Sequence, residues 1–238
     1  MLLTGTSGWA YPSWKPDFYP PKLAAAKFLP YYAGRLHSVE VNYTFRRLPT
    51  ESLLRKWVAE TPPEFRFAIK AHQSISHFRR LRNASEPCSR FLAAIKPLRA
   101  ASRLAAVLVQ LPPDLKRDAD LLAAFLQDWP RDLCTAFEFR HDSWFDEAVY
   151  QLLRRYNVAL CQAATEDLET PAVVTADFAY LRYRKDQYAE EDRRRLAIQV
   201  AAMLANGDTL VYFKHENTPA GALWAEELAK SASPPSAS

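Results

Sequence analysis

Eight short segments rich in aromatic, β-branched and small apolar residues recur about every 30 residues, and between them the apolar residues take helical spacing. That alternation constrains the fold most, because strands running the same way need a helical crossover, which all-β folds and helix bundles do not use. The expected strands lie within 2–9, 38–45, 65–72, 106–111, 136–144, 158–162, 178–184 and 209–214. The expected helices cover 23–36 with a kink at Pro30, 50–60 with Thr50 as cap, 86–101, 117–128, 146–156, 189–205 and 220–232. Eight such units close naturally into a single (β/α)8 TIM barrel, and 238 residues is near the ~250 typical of that fold. Neither a Gly-x-Gly-x-x-Gly run nor a P-loop lysine motif favours a nucleotide-binding open sheet. The resulting division is one barrel domain over 1–232 and a Ser/Pro-rich, disordered tail over 233–238.

The stretch Ala136-Phe137-Glu138-Phe139-Arg140-His141-Asp142-Ser143-Trp144 carries the strongest chemical signal. Successive strand residues face opposite ways, so Phe137 and Phe139 share one face while Glu138 and Arg140 share the other. Buried ions are stable only when paired or put to use, so the second face marks a network or a site. The pattern repeats with Glu40 and Asn42 against Val39 and Val41, with Lys70 and His72 against Phe67 and Ile69, and with Tyr180, Arg182 and Arg184 on one face. Gln110 ends a further strand. All these groups fall toward the C-terminal strand ends, where barrel active sites are built.

Glu40 and Glu138 against Lys70, Arg140 and Arg182 make a net positive pocket suited to a small anion, phosphorylated or carboxylated. Glu138, His141, Glu40 and Lys70 are the candidate catalytic residues, the carboxylates and imidazole as general acid and base and Lys70 as a base or Schiff-base nucleophile. Asn42, Gln110, Arg140, Trp144, Arg182 and Trp9 are the candidate substrate-binding residues. Glu40, Glu138, His141, His215 and Glu216 are suitable metal-ligand types, but no tight ligand spacing occurs, so metal binding stays open with no ligand assigned, and the cofactor is unknown.

Two other readings stay open. The basic loop with Arg79, Arg80 and Arg82, with the aromatic segment from Trp9 to Tyr19, fits nucleic-acid binding or phosphodiester cleavage. A barrel that binds without catalysis is the other. The segment from Ala10 to Lys22 reads first as a flap packed on the barrel rim and second as a substrate-stacking lid. A net charge of +4 is modest for a polyanion binder. No apolar run approaches the ~20 residues of a membrane span, and three isolated cysteines with no signal-peptide pattern point to the cytoplasm.

Five ordered motifs resemble one family. They are Gly5-Thr6-Ser7-Gly8-Trp9, Val39-Glu40-Val41-Asn42 with Phe45 and Leu48-Pro49, Lys70-Ala71, Gln110-Leu111-Pro112-Pro113, and Glu138 to Trp144. Together they are similar to the YecE-like family, domain of unknown function 72, over essentially the whole chain before the tail. The resemblance implies a TIM barrel and no defined activity. The chain departs from that pattern at Ala163-Ala164, at Tyr183-Arg184 and at Phe213-Lys214-His215-Glu216-Asn217, which leaves the first-half residues as carriers of any shared chemistry.

Overall fold

The computed structural model describes residues 1–165 and 168–232, in which nine strands and seven helices alternate as expected except where three strands follow one another over 159–183. The strands are β1 (Leu2–Thr6), β2 (Ser38–Val41), β3 (Arg66–Lys70), β4 (Leu104–Gln110), β5 (Thr135–Glu138), β6 (Ala159–Leu160), β7 (Gln162–Ala164), β8 (Phe178–Tyr183) and β9 (Asp208–Phe213). The helices are α1 (Phe28–Ala33), α2 (Glu51–Ala59), α3 (Ser85–Ala100), α4 (Ala119–Asp128), α5 (Glu147–Arg155), α6 (Glu190–Leu204) and α7 (Ala220–Ala232). The tail over 233–238 lies outside the described residues.

All strand pairs are parallel, as helical crossovers require. The ladders fall into two sheets, β2-β3-β4-β5-β6 and β1-β9-β8-β7, and not into the one closed ladder expected from sequence. The single expected strand over 158–162 is the reason on one side: it changes partner at Cys161, pairing with β5 before that residue and with β8 after it. On the other side β1 and β2 meet only through a bridge between Ser7 and Glu40, where the Gly8 amide donates to the Glu40 carbonyl at 2.9 Å. Gly5 permits that approach, because a Cβ there would lie 1.9 Å from the Ser38 carbonyl oxygen.

Strand alternation sorts the interior into two apolar clusters. Val39, Phe67, Val109, Phe137, Leu181 and Val211 pack toward the helices, while residues of opposite parity from both sheets, among them Leu3, Ala68, Leu108, Ala136, Cys161, Tyr180 and Tyr212, gather in the second cluster. The second is built mainly of small residues and tyrosines, which leaves room for ionic side chains at its strand-end limit.

Several local expectations change. The helix expected over 23–36 is a 3-10 turn at Ala25–Lys27 followed by the short α1. Pro30 sits in the first turn of α1, where its missing N–H costs no helical bond, so it produces no kink. Thr50 caps α2 as its type suggests, accepting from the Leu53 amide at 3.3 Å. The segment from Ala10 to Lys22 is a packed flap: Trp14, Phe18 and Tyr19 are buried, and Tyr19 stacks on Phe28 at 4.2 Å. The basic loop holds a π-helical turn, Ser74–Phe78, followed by left-handed backbone at Arg80, Leu81 and Asn83.

Candidate functional site

Strand register sets the site. Gln110 at the end of β4 pairs with Glu138 at the end of β5, and Lys70 ends β3 beside them. Glu40 from β2 and Arg182 from β8 come from the other walls, each with its side chain on the small-residue face. The chain thus carries charge to one place from four strands and a neutral amide from a fifth.

Glu40 and Glu138 are both fully buried and share one guanidinium. Arg182 donates through Nη2 to Glu40 Oε1 at 2.7 Å and through Nη1 to Glu138 Oε2. Glu40 also accepts from Ser7 Oγ and Tyr180 Oη, each at 2.7 Å, and from Asn42 Nδ2 at 3.3 Å. Glu138 accepts from Gln110 Nε2 at 2.7 Å and pairs with Arg140 Nε at 3.1 Å and Arg184 Nη1 at 3.6 Å. Burial alone would raise both carboxyl pKa values. The arginine charges reverse this, lowering Glu40 and holding Glu138 at about 2. Both stay ionised near neutrality, so neither is a proton donor there.

Lys70 differs. Its Nζ donates to Gln110 Oε1 at 2.6 Å and stands 4.2 Å from the centre of the Phe45 ring. Burial, with the charge of Arg182, lowers its pKa to about 8. Of the four candidate catalytic groups, Lys70 is the one whose pKa its surroundings bring down toward physiological pH.

An open pocket of about 490 Å³ adjoins this network, lined by His77, Gln110, Arg140 and Arg184 with Leu111, Pro113, Thr165 and Leu168. Burial and the positive charge of Lys70 lower the pKa of His77, which favours a neutral imidazole. Arg184 shares its strand face with Tyr180 and Arg182, a pattern visible in the sequence, yet its place in the pocket depends on the chain path after β8.

Other expected site residues sit elsewhere. Arg182, expected to bind a ligand anion, is 2% exposed and occupied by two carboxylates, so its charge is already neutralised internally. Trp144 is fully buried, stacks on Phe139 at 4.7 Å and donates to the Leu115 carbonyl at 2.7 Å, which makes it scaffold. His141 caps the turn Asp142–Trp144 by accepting from the Ser143 amide at 3.1 Å, and it does not line the pocket. Trp9 and Asn42 line a second, apolar pocket of about 360 Å³ with Tyr43, Leu53 and Trp57. Ser7 and Tyr180, partners of Glu40, were not among the expected site residues, although Tyr180 shares the strand face of Arg182, because a lone hydroxyl does not disclose its partner.

The basic loop is partly neutralised. Arg80 pairs with Asp114 at 2.8 Å and Arg82 with Asp118 at 3.0 Å, while Arg79 is exposed. Among the described residues no three His, Cys, Asp or Glu side chains converge as a metal site would require, and no helix is long and apolar enough to cross a membrane.

These features define a class of parallel α/β protein with a buried ionic network at its strand ends. The chain belongs to the family described as protein of unknown function DUF72, whose model matches residues 3–237. It is 31% identical over 157 residues to UPF0759 protein YunF of Bacillus subtilis, covering 63% of this chain and 55% of that protein. UPF0759 protein YecE of Escherichia coli K12 is 30% identical over 146 residues, covering 61% of this chain and 50% of that protein. The chain thus spans about half the length of the curated relatives it matches. A solved DUF72 family protein from Thermotoga maritima superposes with a TM-score of 0.85 at 26% identity, covering 97% of this chain and 98% of that one. One from Enterococcus faecalis gives 0.77 at 21% identity, covering 97% and 96%, a likeness of fold.

Proposed function

We propose that the two sheets are the halves of one (β/α)8 barrel forming a single domain over 1–232, and that the protein is an enzyme acting on a small anionic substrate at the C-terminal strand ends. The barrel reading is supported by the apolar cluster to which both sheets contribute and by the Ser7 to Glu40 bridge. The functional reading is carried by one observation: two carboxylates, Glu40 and Glu138, are set against four cations, Lys70, Arg140, Arg182 and Arg184, beside an open pocket. Arg182 is fully committed, so the surplus resides with Arg140, Arg184 and Lys70. Guanidiniums in a half-buried pocket suit a phosphate or carboxylate, whose oxygens accept paired hydrogen bonds.

In this reading Glu40 and Glu138 do not transfer protons. They hold Arg182 and, through Glu138, orient Arg140 and Arg184. Lys70 is the group left to act on the substrate, as base or nucleophile, and Gln110 fixes it. The three cysteines are free thiols, which suits the expected cytoplasmic setting.

A thermal-shift screen of sugar phosphates, carboxylates and nucleotides at low salt tests the reading. The expected result is stabilisation by at least one of these classes, lost when Arg140 and Arg184 are both replaced by alanine. A shift that survives the double replacement, or no shift with any anion, would contradict it.

A further inference from the structure

Lys70 is half-buried without a salt bridge of its own among the described residues. Its Nζ bonds to the neutral amide of Gln110, and the two buried carboxylates nearby are taken up by arginines. The Phe45 ring stands against both Lys70, at 4.2 Å, and His77, at 4.8 Å. Gln110, which grips Nζ, also lines the pocket that holds His77, Arg140 and Arg184. Gln110 thus links the amine to that cavity, and a second titratable group, His77, packs on the same Phe45 ring.

We propose that Lys70 is an imine-forming nucleophile, and that the substrate is a small aldehyde or ketone that also bears a phosphate or carboxylate. This rests on the anion-binding reading of the same pocket, which supplies the second half of the substrate. With a pKa lowered to about 8, roughly a tenth of the lysine carries a free lone pair at neutral pH, against well under a thousandth for an ordinary lysine.

The chemistry balances without a further reactant. The Nζ lone pair attacks the carbonyl carbon, a C–N bond forms, and the π pair moves to oxygen. Proton transfer from nitrogen to oxygen gives a carbinolamine. A second proton from nitrogen then leaves with the oxygen as the C–O bond breaks, so that water departs and an imine remains. These proton transfers are assigned to His77, which lines the pocket and shares the Phe45 ring with Lys70. Protonated, the imine withdraws electrons from the neighbouring carbon, which is the activation that lyase or isomerase chemistry on such a substrate needs.

The test uses pyridoxal 5′-phosphate as an aldehyde with a phosphate, and pyridoxal as the same aldehyde without one. The full chain is incubated with each at neutral pH, reduced with cyanoborohydride and mapped by peptide mass spectrometry. Lys70 should be modified at least about tenfold faster by the phosphorylated probe than the exposed Lys22 and Lys27, at one adduct per chain. Both Lys70→Met and Lys70→Arg should lose that adduct, and circular dichroism checks that each folds. Labelling spread over exposed lysines, with Lys70 spared, overturns the proposal even if inorganic phosphate still stabilises the fold. Equal labelling of Lys70 by the two probes would leave the imine standing and overturn the anion site.

Discussion

Glu40 and Glu138, on strands separated by β3 and β4, are joined through the single guanidinium of Arg182. Three full charges thus sit out of water, both carboxylates neutralised by the one guanidinium and Glu138 by Arg140 and Arg184 as well. Removing the middle one is the severe case. Arg182→Met leaves two buried carboxylates facing each other and should destabilise by about 3–5 kcal/mol in urea unfolding. The triple variant with Glu40→Gln and Glu138→Gln added should recover much of that loss. If Arg182→Met alone costs under about 1 kcal/mol, the network does not hold the strands together.

The same network sets an acid limit. Glu40 and Glu138 have folded pKa values below the ordinary carboxylate value of 4.5, so they bind fewer protons in the folded than in the unfolded state. Their contribution is therefore full above about 4.5 and is lost as the pH falls toward about 2, the value for Glu138. Chemical denaturation across this window should show stability falling with pH, and Glu138→Gln should flatten the fall. A slope unchanged by that substitution would count against the assignment.

Lys70 contributes at the other end. Its folded pKa of about 8 lies below the ordinary 10.5, so the unfolded chain binds the extra proton and the contribution of Lys70 itself should rise between those pH values. It is opposed above about 9 by the thiols of Cys88, Cys134 and Cys161, whose pKa values are raised. The rise should vanish in Lys70→Met, as read from unfolding midpoints at stepped pH. A rise that persists in Lys70→Met would show that another group causes it.

Gly5 is the backbone counterpart. Its missing Cβ admits the Ser38 carbonyl, and Tyr32 Oη lies 2.9 Å from the same point. Gly5→Ala should destabilise by about 3 kcal/mol or more, since a backbone oxygen cannot move aside as a side chain can. Thermal unfolding measures it, and a loss of only a few tenths would mean that β1 and β2 can separate at no cost.

Much of this was legible in the residues. Alternation alone placed Glu40, Lys70, Glu138 and Arg182 on one face, and helical spacing with cap chemistry placed α2 and α7. Sheet assignment was not legible, because the partner change at Cys161 depends on where β8 lies and not on local sequence. Nor was the sorting of arginines: Arg140, Arg182 and Arg184 look alike in a strand pattern, yet only Arg182 lies where two carboxylates converge. Trp144 and His141 looked functional by type and proximity to Glu138, but the turn at Asp142–Trp144, beyond the end of β5, leaves the indole fully buried. The Arg80 and Arg82 charges were cancelled by aspartates more than thirty residues away, which no window of sequence reveals.

The most direct test of the central claim is calorimetric titration of the protein with inorganic phosphate at low salt, comparing the wild type with Arg140→Gln and Arg79→Ala. One phosphate per chain is expected in the wild type and in Arg79→Ala, with binding weakened at least about tenfold in Arg140→Gln, the scale of one charge-assisted hydrogen bond. Binding indifferent to Arg140 but lost with Arg79 would contradict the account, and would move anion recognition from the pocket to the basic loop.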